Sequence, residues 1–409
     1  MIKMYYVLKF LKKINMKEQI PLFKVFMSTN AKVEVSKVLD SGYIGQGPKV
    51  EEFESNLRDY LNHNKLATVN GGTNALHLAL HLLKNPTTFS DEYDPYFGTG
   101  TRWPGISEGD EVLATSLTCT ASNFPILANG MKIKWVDIDP STLNIDLDDL
   151  ERKLSPKTKV IMLVHWGGYP NDLDRIKEIQ AKCYNMYGFV PQVIEDGAHS
   201  FGSKFNGKYI GNHGNITMYS FQAIKHITAG DGGVLLLPNE ELYKRAKLLR
   251  WFGIDRESNR KDFRCEADII EWGYKFHMND INATIGIENL KFVDNIVGTH
   301  KANAAYYDDV LKNTSGVTLL NRHDNRESAF WIYSMLVDDR DGFYKWMKEC
   351  NIVVSQVHER NDKHTCVKDY ISALPQLDKT IGKVVNIPNG WWVTPEQREY
   401  IVDCIKKGW

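Results

Sequence analysis

Short apolar runs punctuate the first two thirds of the chain: Lys65–Val69, Val112–Thr115, Ile133–Val136, Val160–Val164, Val190–Ile194, Ile216–Phe221 and Val234–Leu237. Several are apolar at nearly every position. Such strands need cover on both faces, and parallel sheets get it from the helices that join their strands. Helical patterns fill the gaps, the first at Ala75–Leu83. Strand, helix, strand in this order predicts an α/β fold with a mostly parallel central sheet flanked by helices. A helical pattern around Ile281–Val293 leads into a smaller C-terminal α+β region. Its last helix is predicted to open on Thr394 as N-cap, with Glu396 and Glu399 in the early turns. The expected division is residues 1–39 as an N-terminal extension and segment, 40–290 as a large domain and 291–409 as a small domain. Asn85–Gly109, rich in Pro, Thr, Gly, Asp and aromatic residues, is too long for a passive connection and reads as an insertion.

In 409 residues, 50 Lys+Arg stand against 51 Asp+Glu, a net charge of −1. Without bulk positive charge, no nucleic-acid partner and no anionic membrane surface is expected. The six cysteines are scattered, with no Cys-x-x-Cys pair, which suits a reducing compartment and predicts a cytoplasmic protein. Near the start, Lys9, Lys12 and Lys13 break up the apolar Tyr5–Leu8 and Phe10-Leu11, so neither a membrane span nor a signal peptide is read there. Residues 1–15 read as a peripheral extension or an overcalled start.

Four local patterns carry chemistry. The first is Ser220-Phe221-Gln222-Ala223-Ile224-Lys225-His226-Ile227-Thr228, closed by Gly230-Asp231-Gly232-Gly233. Lys225 follows a buried strand, where desolvation lowers a lysine's pKa and makes it a nucleophile toward an aldehyde; taken singly, it reads rather as a surface lysine at a strand end, since lysines are mostly exposed. In the second, Glu195-Asp196-Gly197-Ala198-His199, Asp196 ends a buried strand, the place where open α/β sheets bind ligands. It either holds a ring nitrogen protonated or merely caps the next turn. In the third, Asn70-Gly71-Gly72-Thr73, glycines admit an anion to the backbone and to the first helix amides, a phosphate-favouring arrangement, although a Gly-Gly turn before a helix is common. The fourth, Trp272–Gly286, crowds polar residues at a helix start, where Asn279 or Asp280 can serve as caps. The residues alone assign it no function.

Together with Ile20-Pro21-Leu22-Phe23 and Ser41–Glu54, these motifs resemble the DegT/DnrJ/StrS family of pyridoxal-phosphate-dependent nucleotide-sugar aminotransferases of fold type I, from about Ile20 to Leu290 and more weakly beyond. The resemblance implies pyridoxal 5'-phosphate as cofactor, with pyridoxamine 5'-phosphate as its aminated form. Lys225 then matches the lysine bonded to the cofactor, Asp196 the partner of the pyridine nitrogen, and His199 a position beside the ring and its phenolic oxygen. Gly72, Thr73 and Ser220 match phosphate ligands. His277, where relatives often carry Asn or Arg, lies with Lys275 and Asn279 in a segment that tends to reach the partner subunit's active site in a homodimer. Cys119 stands where relatives usually place an aromatic residue that stacks on the cofactor, and it reads here as a small buried hydrophobe.

The implied reaction moves an amino group from L-glutamate to a nucleotide-linked keto-deoxy sugar by a ping-pong route, with a 4-keto-6-deoxyhexose favoured over a 3-keto relative. Arg256, Arg260, Lys261 and Arg264 form a basic cluster that is a candidate for the sugar diphosphate or else a solvated loop. A dehydratase of the same fold would carry histidine in place of Lys225, and a lyase leaves Gly45-Gln46-Gly47-Pro48 unexplained. A non-catalytic DNA-binding regulator lacks support from any helix-turn-helix or basic arm. His77 and His81 stand four apart on a helix, but with no adjacent glutamate base or third ligand, so no metal site is read.

Overall fold

The computed structural model describes residues 18–88, 102–256 and 268–409. Residues 1–15 and the middle of the Asn85–Gly109 excursion lie outside these. The apolar runs form one seven-stranded sheet: β1 (Leu66–Val69), β2 (Glu111–Thr115), β3 (Lys132–Val136), β4 (Thr158–Val164), β5 (Gln192–Asp196), β6 (Ile216–Ser220) and β7 (Gly233–Leu236), in the order β1-β7-β6-β5-β4-β2-β3. β7 runs against both its neighbours, while β6, β5, β4, β2 and β3 pair in parallel. Burial explains the unbroken apolar runs. Val112, Ala114, Val160 and Met162 enter one core, whereas Leu113, Ile161 and Leu163 between them enter the core on the other face.

The covering helices are α1 (Ala31–Ser41), α2 (Pro48–Leu61), α3 (Gly72–Leu82), α4 (Thr120–Ala128), α5 (Leu173–Tyr187), α6 (Glu240–Leu249) and α7 (Asp280–Leu290). α3 begins at Gly72, three residues before the predicted start at Ala75. The carboxylate of Asp280 reaches back across the fold to cap α2. It accepts N–H groups of Gly47 at 2.7 Å, Lys49 at 3.3 Å and Val50 at 3.2 Å, while Gly47 has no side chain of its own to do so. Asp280→Ala removes this acceptor from the partly buried Gly47 and Lys49 N–H groups, while Val50 keeps its bond to the Gly47 carbonyl at 3.1 Å. The expected cost is about 2 kcal/mol of stability, read as a lower midpoint in denaturant.

Beyond α7 the chain forms α8 (Val293–Leu311), β8 (Val317–Leu319), β9 (Tyr333–Val337), α9 (Arg340–Glu349), β10 (Val384–Ile387) and α10 (Pro395–Lys406). The three strands make an antiparallel sheet, β8-β9-β10, over a core that includes Tyr307, Tyr333, Met335, Phe343 and Ile401. α10 opens on Thr394 as predicted, and the reciprocal partner in its capping box is Gln397. Ile20 joins this same core and bonds Asn351 and Val353 through its backbone at 3.0 Å, so the N-terminal segment is anchored on the C-terminal layer before it crosses to the large sheet.

The excursion at 85–109 is stapled at its base, where Thr87 pairs with Trp103. Trp103 is buried and donates its indole N–H to the Leu83 carbonyl at 2.8 Å. Among the described residues no helix is long and apolar enough to cross a membrane.

Candidate active site

Parallel strands place their carboxyl ends along one edge, and the segments that leave β1, β2, β4, β5 and β6 meet there around a cavity of about 770 Å³. Gly72, Thr73, Asp196, His199, Ser220 and Lys225, drawn from three separate sequence motifs, all line it.

At one end lies the start of α3. Its N-cap, Gly71, offers no side-chain acceptor, and its first turn carries no acidic residue, which leaves the positive end of the helix available to an anion. A Cβ at Gly72 would stand 2.9 Å from Ser220 Cβ and 3.1 Å from its Oγ, so only glycine lets the helix start and Ser220 close on one small ligand. Gly233 is required on the other side, since its Cβ would meet the Gly71 carbonyl at 2.9 Å. Gly72→Ala should weaken retention of a phosphate-bearing ligand roughly tenfold, measured by equilibrium dialysis, because Ser220 must shift to make room.

Asp196 ends β5 and is buried; its carboxylate accepts the Ser122 hydroxyl at 2.6 Å and the Ala198 N–H at 3.0 Å. Burial outweighs these bonds and the charge of Lys225 and holds the carboxyl above its ordinary range. Its neighbour Glu195 points through the opposite face of the sheet to His165 at 2.8 Å and Asn215 at 2.9 Å, which fixes the end of the strand from behind.

Lys225 sits on a loop that the backbone bonds Phe221 N–H to Gly232 O and Ala229 N–H to Phe221 O close at 2.9 Å each. Ile224 accepts the Trp331 indole N–H at 2.8 Å, and the His226 ring lies 2.9 Å from the Ala329 carbonyl, so both flanks of the lysine are pinned. Its Nζ lies 3.7 Å from the centre of the Trp331 ring. Desolvation lowers its pKa to about 8 from 10.5, against the opposing pull of Asp196 and Cys119. The free amine therefore predominates above about 8. Reductive trapping of the cofactor-free protein with pyridoxal phosphate should label Lys225 at a rate that rises with pH and levels off there, well below the range of an ordinary lysine; peptide mapping against pH measures it.

His199 is buried, and its ring stacks on Trp331 at 3.9 Å. Burial and the nearby Lys225 hold it neutral, far below the usual imidazole range. Its Nδ1 is enclosed and has no hydrogen-bond partner among the described residues.

These features fit pyridoxal phosphate. The bare helix start and Ser220 would hold the phosphate, the under-compensated Asp196 carboxylate a protonated ring nitrogen, the orphaned His199 nitrogen the phenolic oxygen, and the low-pKa Lys225 the aldehyde.

The matched profile is that of the DegT/DnrJ/EryC1/StrS aminotransferase family, over residues 27–91 and 98–406. The chain belongs to that family. Members of this kind are pyridoxal-phosphate-dependent sugar aminotransferases of fold type I, and this is one of them. The match leaves out 92–97, inside the predicted insertion, and it runs through the C-terminal region, well past the Leu290 limit at which the motifs fade. The chain is 34% identical over 318 residues to GDP-perosamine synthase of Escherichia coli O157:H7, covering 78% of this chain and 77% of that one. It also resembles the solved structures of AtS13 from Actinomadura melliaura (46% identity, TM-score 0.88, 96% and 100% covered) and of the sugar aminotransferase CalS13 from Micromonospora echinospora (43%, 0.87, 95% and 100%).

Other candidate residues of this aminotransferase lie elsewhere. Asn279 spends its side chain capping α7, accepting the Asn282 N–H at 2.9 Å, and His277 packs on Trp251 with ring centres 3.6 Å apart; neither lines the cavity. Arg256 borders a separate hollow of about 720 Å³ beside α1 and α2, where it lies over Trp251 at 4.4 Å and donates to the Gln46 carbonyl at 3.2 Å. Arg260, Lys261 and Arg264 fall outside the described residues. His77 and His81 are taken up by Tyr274, whose hydroxyl lies 3.2 and 2.7 Å from them, and His81 also faces Glu271 at 3.3 Å.

Cys119, in place of an aromatic, is not the buried hydrophobe expected: it is half-buried and lines the cavity at the N-cap of α4, where the chain turns from β2 into the helix. Ser122, three residues on, went unassigned in the sequence, although hydroxyls clustered at a strand-to-helix junction are the signal that points to it. Phe23, Trp331 and His358 also form cavity walls, and no local motif marks them.

Proposed function

We propose that this aminotransferase takes its amino group from L-glutamate and delivers it to a nucleotide-linked 4-keto-6-deoxyhexose in a ping-pong cycle. The observation that carries this is the convergence of Lys225, Asp196, Ser220 and the start of α3 on one cavity. A nucleotide-linked acceptor is supported by similarity to a relative named GDP-perosamine synthase.

Bound pyridoxal phosphate supplies an aldehyde that takes up amines and a ring that delocalises the negative charge left when the donor's α-carbon loses its proton. Lys225 would hold the aldehyde end through its amine, and its free amine is placed to take the donor's α-proton and pass it on to the carbon that carries the aldehyde. The Asp196 carboxylate would hold the ring nitrogen positive by its charge. Ser122 and the Ala198 N–H orient its carboxylate, and His199, held neutral, acts by hydrogen bonding rather than by charge. Two copies are proposed to pair so that His277 and Asn279 reach the partner's cavity, with the Arg256–Arg264 stretch contacting the sugar diphosphate. The cytoplasm, where glutamate and nucleotide sugars are available, is the proposed compartment.

The test is optical. Purified protein loaded with pyridoxal phosphate should be yellow, glutamate should bleach it, and one member of a panel of dTDP-, UDP- and GDP-linked keto sugars should restore the colour. If no keto sugar does so after glutamate has bleached the band, the acceptor assignment is wrong.

A further inference from the structure

We propose that His358 is a substrate-contacting residue that recognises the acceptor, hydrogen-bonding an uncharged oxygen of the sugar bound beside Lys225. The inference rests on the acceptor being a sugar, as proposed above.

His358 comes from the C-terminal layer and lines the cavity. Its Nε2 is enclosed and has no hydrogen-bond partner among the described residues, a costly state for a buried polar group unless a ligand relieves it. The backbone that presents it is strained. Val357 has a φ of 69°, a left-handed conformation that a β-branched residue rarely adopts.

That conformation is enforced from several sides. The Val357 N–H donates to Ser355 Oγ at 2.9 Å, and the His358 N–H to the Gln356 carbonyl at 2.9 Å. The Gln356 side chain donates to the His358 carbonyl at 2.8 Å while it accepts from Arg340 at 2.5 Å. Asn386 of β10 ties Ser355 down through its backbone at 2.8 Å. Strain fixed by this many bonds is found where a side chain must be held in one place for function.

The place is defined by rings. His358 is parallel to His199 within 3°, with centres 5.6 Å apart, and Trp166 stands edge-on to both, at 5.9 and 6.3 Å. His358 thus extends the row of rings that begins with His199 and Trp331 in the same cavity.

The chemistry selects an uncharged oxygen. Burial and the Lys225 charge push the His358 pKa down to about 4, so the ring is neutral and offers one donor and one acceptor. Carboxylates of an amino-acid donor call for a cation. Sugar hydroxyl or carbonyl oxygens match a neutral imidazole, and Phe23, Trp331 and Val357 supply the apolar wall for the C–H faces of a sugar.

The experiment uses the loaded full-length enzyme and two variants, His358→Phe and His358→Asn. Each half-reaction is followed by colour, and binding of the nucleotide amino sugar by calorimetry. In H358F the sugar half-reaction should slow, and amino-sugar binding weaken, by at least about tenfold, the loss of one well-made hydrogen bond. The glutamate half-reaction and the cofactor content should stay within about twofold of wild type, and H358N should recover part of the loss. Equal slowing of both halves, slowing of the glutamate half alone, or an unchanged sugar half would overturn the proposal. A wild type that glutamate bleaches but no keto sugar restores would remove the acceptor reading, and this inference with it.

Discussion

Lys225→Ala should lower turnover by about 10³-fold or more, the scale of losing a positioned proton-transfer group together with its nucleophilic role. The loop geometry makes substitution by a neighbour implausible. Among the described residues that line the cavity, Lys225 is the only lysine or arginine, and the bonds at Ile224 and His226 prevent another side chain from swinging into its place. Folding should survive, since those bonds involve the flanking residues and not the lysine side chain. The variant should still bind pyridoxal phosphate through the start of α3 and Ser220, yet borohydride should no longer fix the cofactor to the protein. Single-turnover kinetics with glutamate measure the loss; retention of more than about a tenth of wild-type rate would remove Lys225 from the mechanism.

Asp196→Asn should cost about 10²- to 10⁴-fold in the glutamate half-reaction, with little change in cofactor content. The amide keeps the shape of the carboxylate, and its single oxygen can accept either the Ser122 hydroxyl or the Ala198 N–H but not both. What disappears is the negative charge, which burial already holds at a disadvantage and which a protonated ring nitrogen would restore to favour. Because the charge acts on the transition state more than on binding, the expected signature is a fall in kcat with a nearly constant KM for glutamate. A variant with wild-type kcat would show that Asp196 serves only to close the end of β5.

Ser122→Ala, a milder change, leaves that carboxylate one donor short. The contrast shows why the aspartate stood out in the sequence and its supporting hydroxyl did not. Asp196 is the last residue of a buried five-residue strand and precedes a glycine, a local pattern with few explanations. Ser122 lies in the first turn of α4, and nothing in its own neighbourhood indicates that α4 meets the end of β5. Likewise Gly72 and Lys225 are marked by their own turns, whereas Trp331 and His358 come from a C-terminal layer whose cavity-facing residues are scattered among ordinary core positions.

The sequence by itself determined the strands and their burial on both faces, and it placed the Gly71-Gly72 turn, Asp196 and Lys225 at their ends. These follow from short-range physics: alternation of side chains, glycine's tolerance of close approach, and capping of helix starts. The tertiary structure alone decided the rest. It assigned Asp280 to the cap of α2, turned Arg256 into a separate hollow, and carried His358 across to the cavity on a strained turn. Each of those outcomes depends on which distant segments come into contact. That is settled by packing two cores against one sheet and a third beside them, and no local pattern records it.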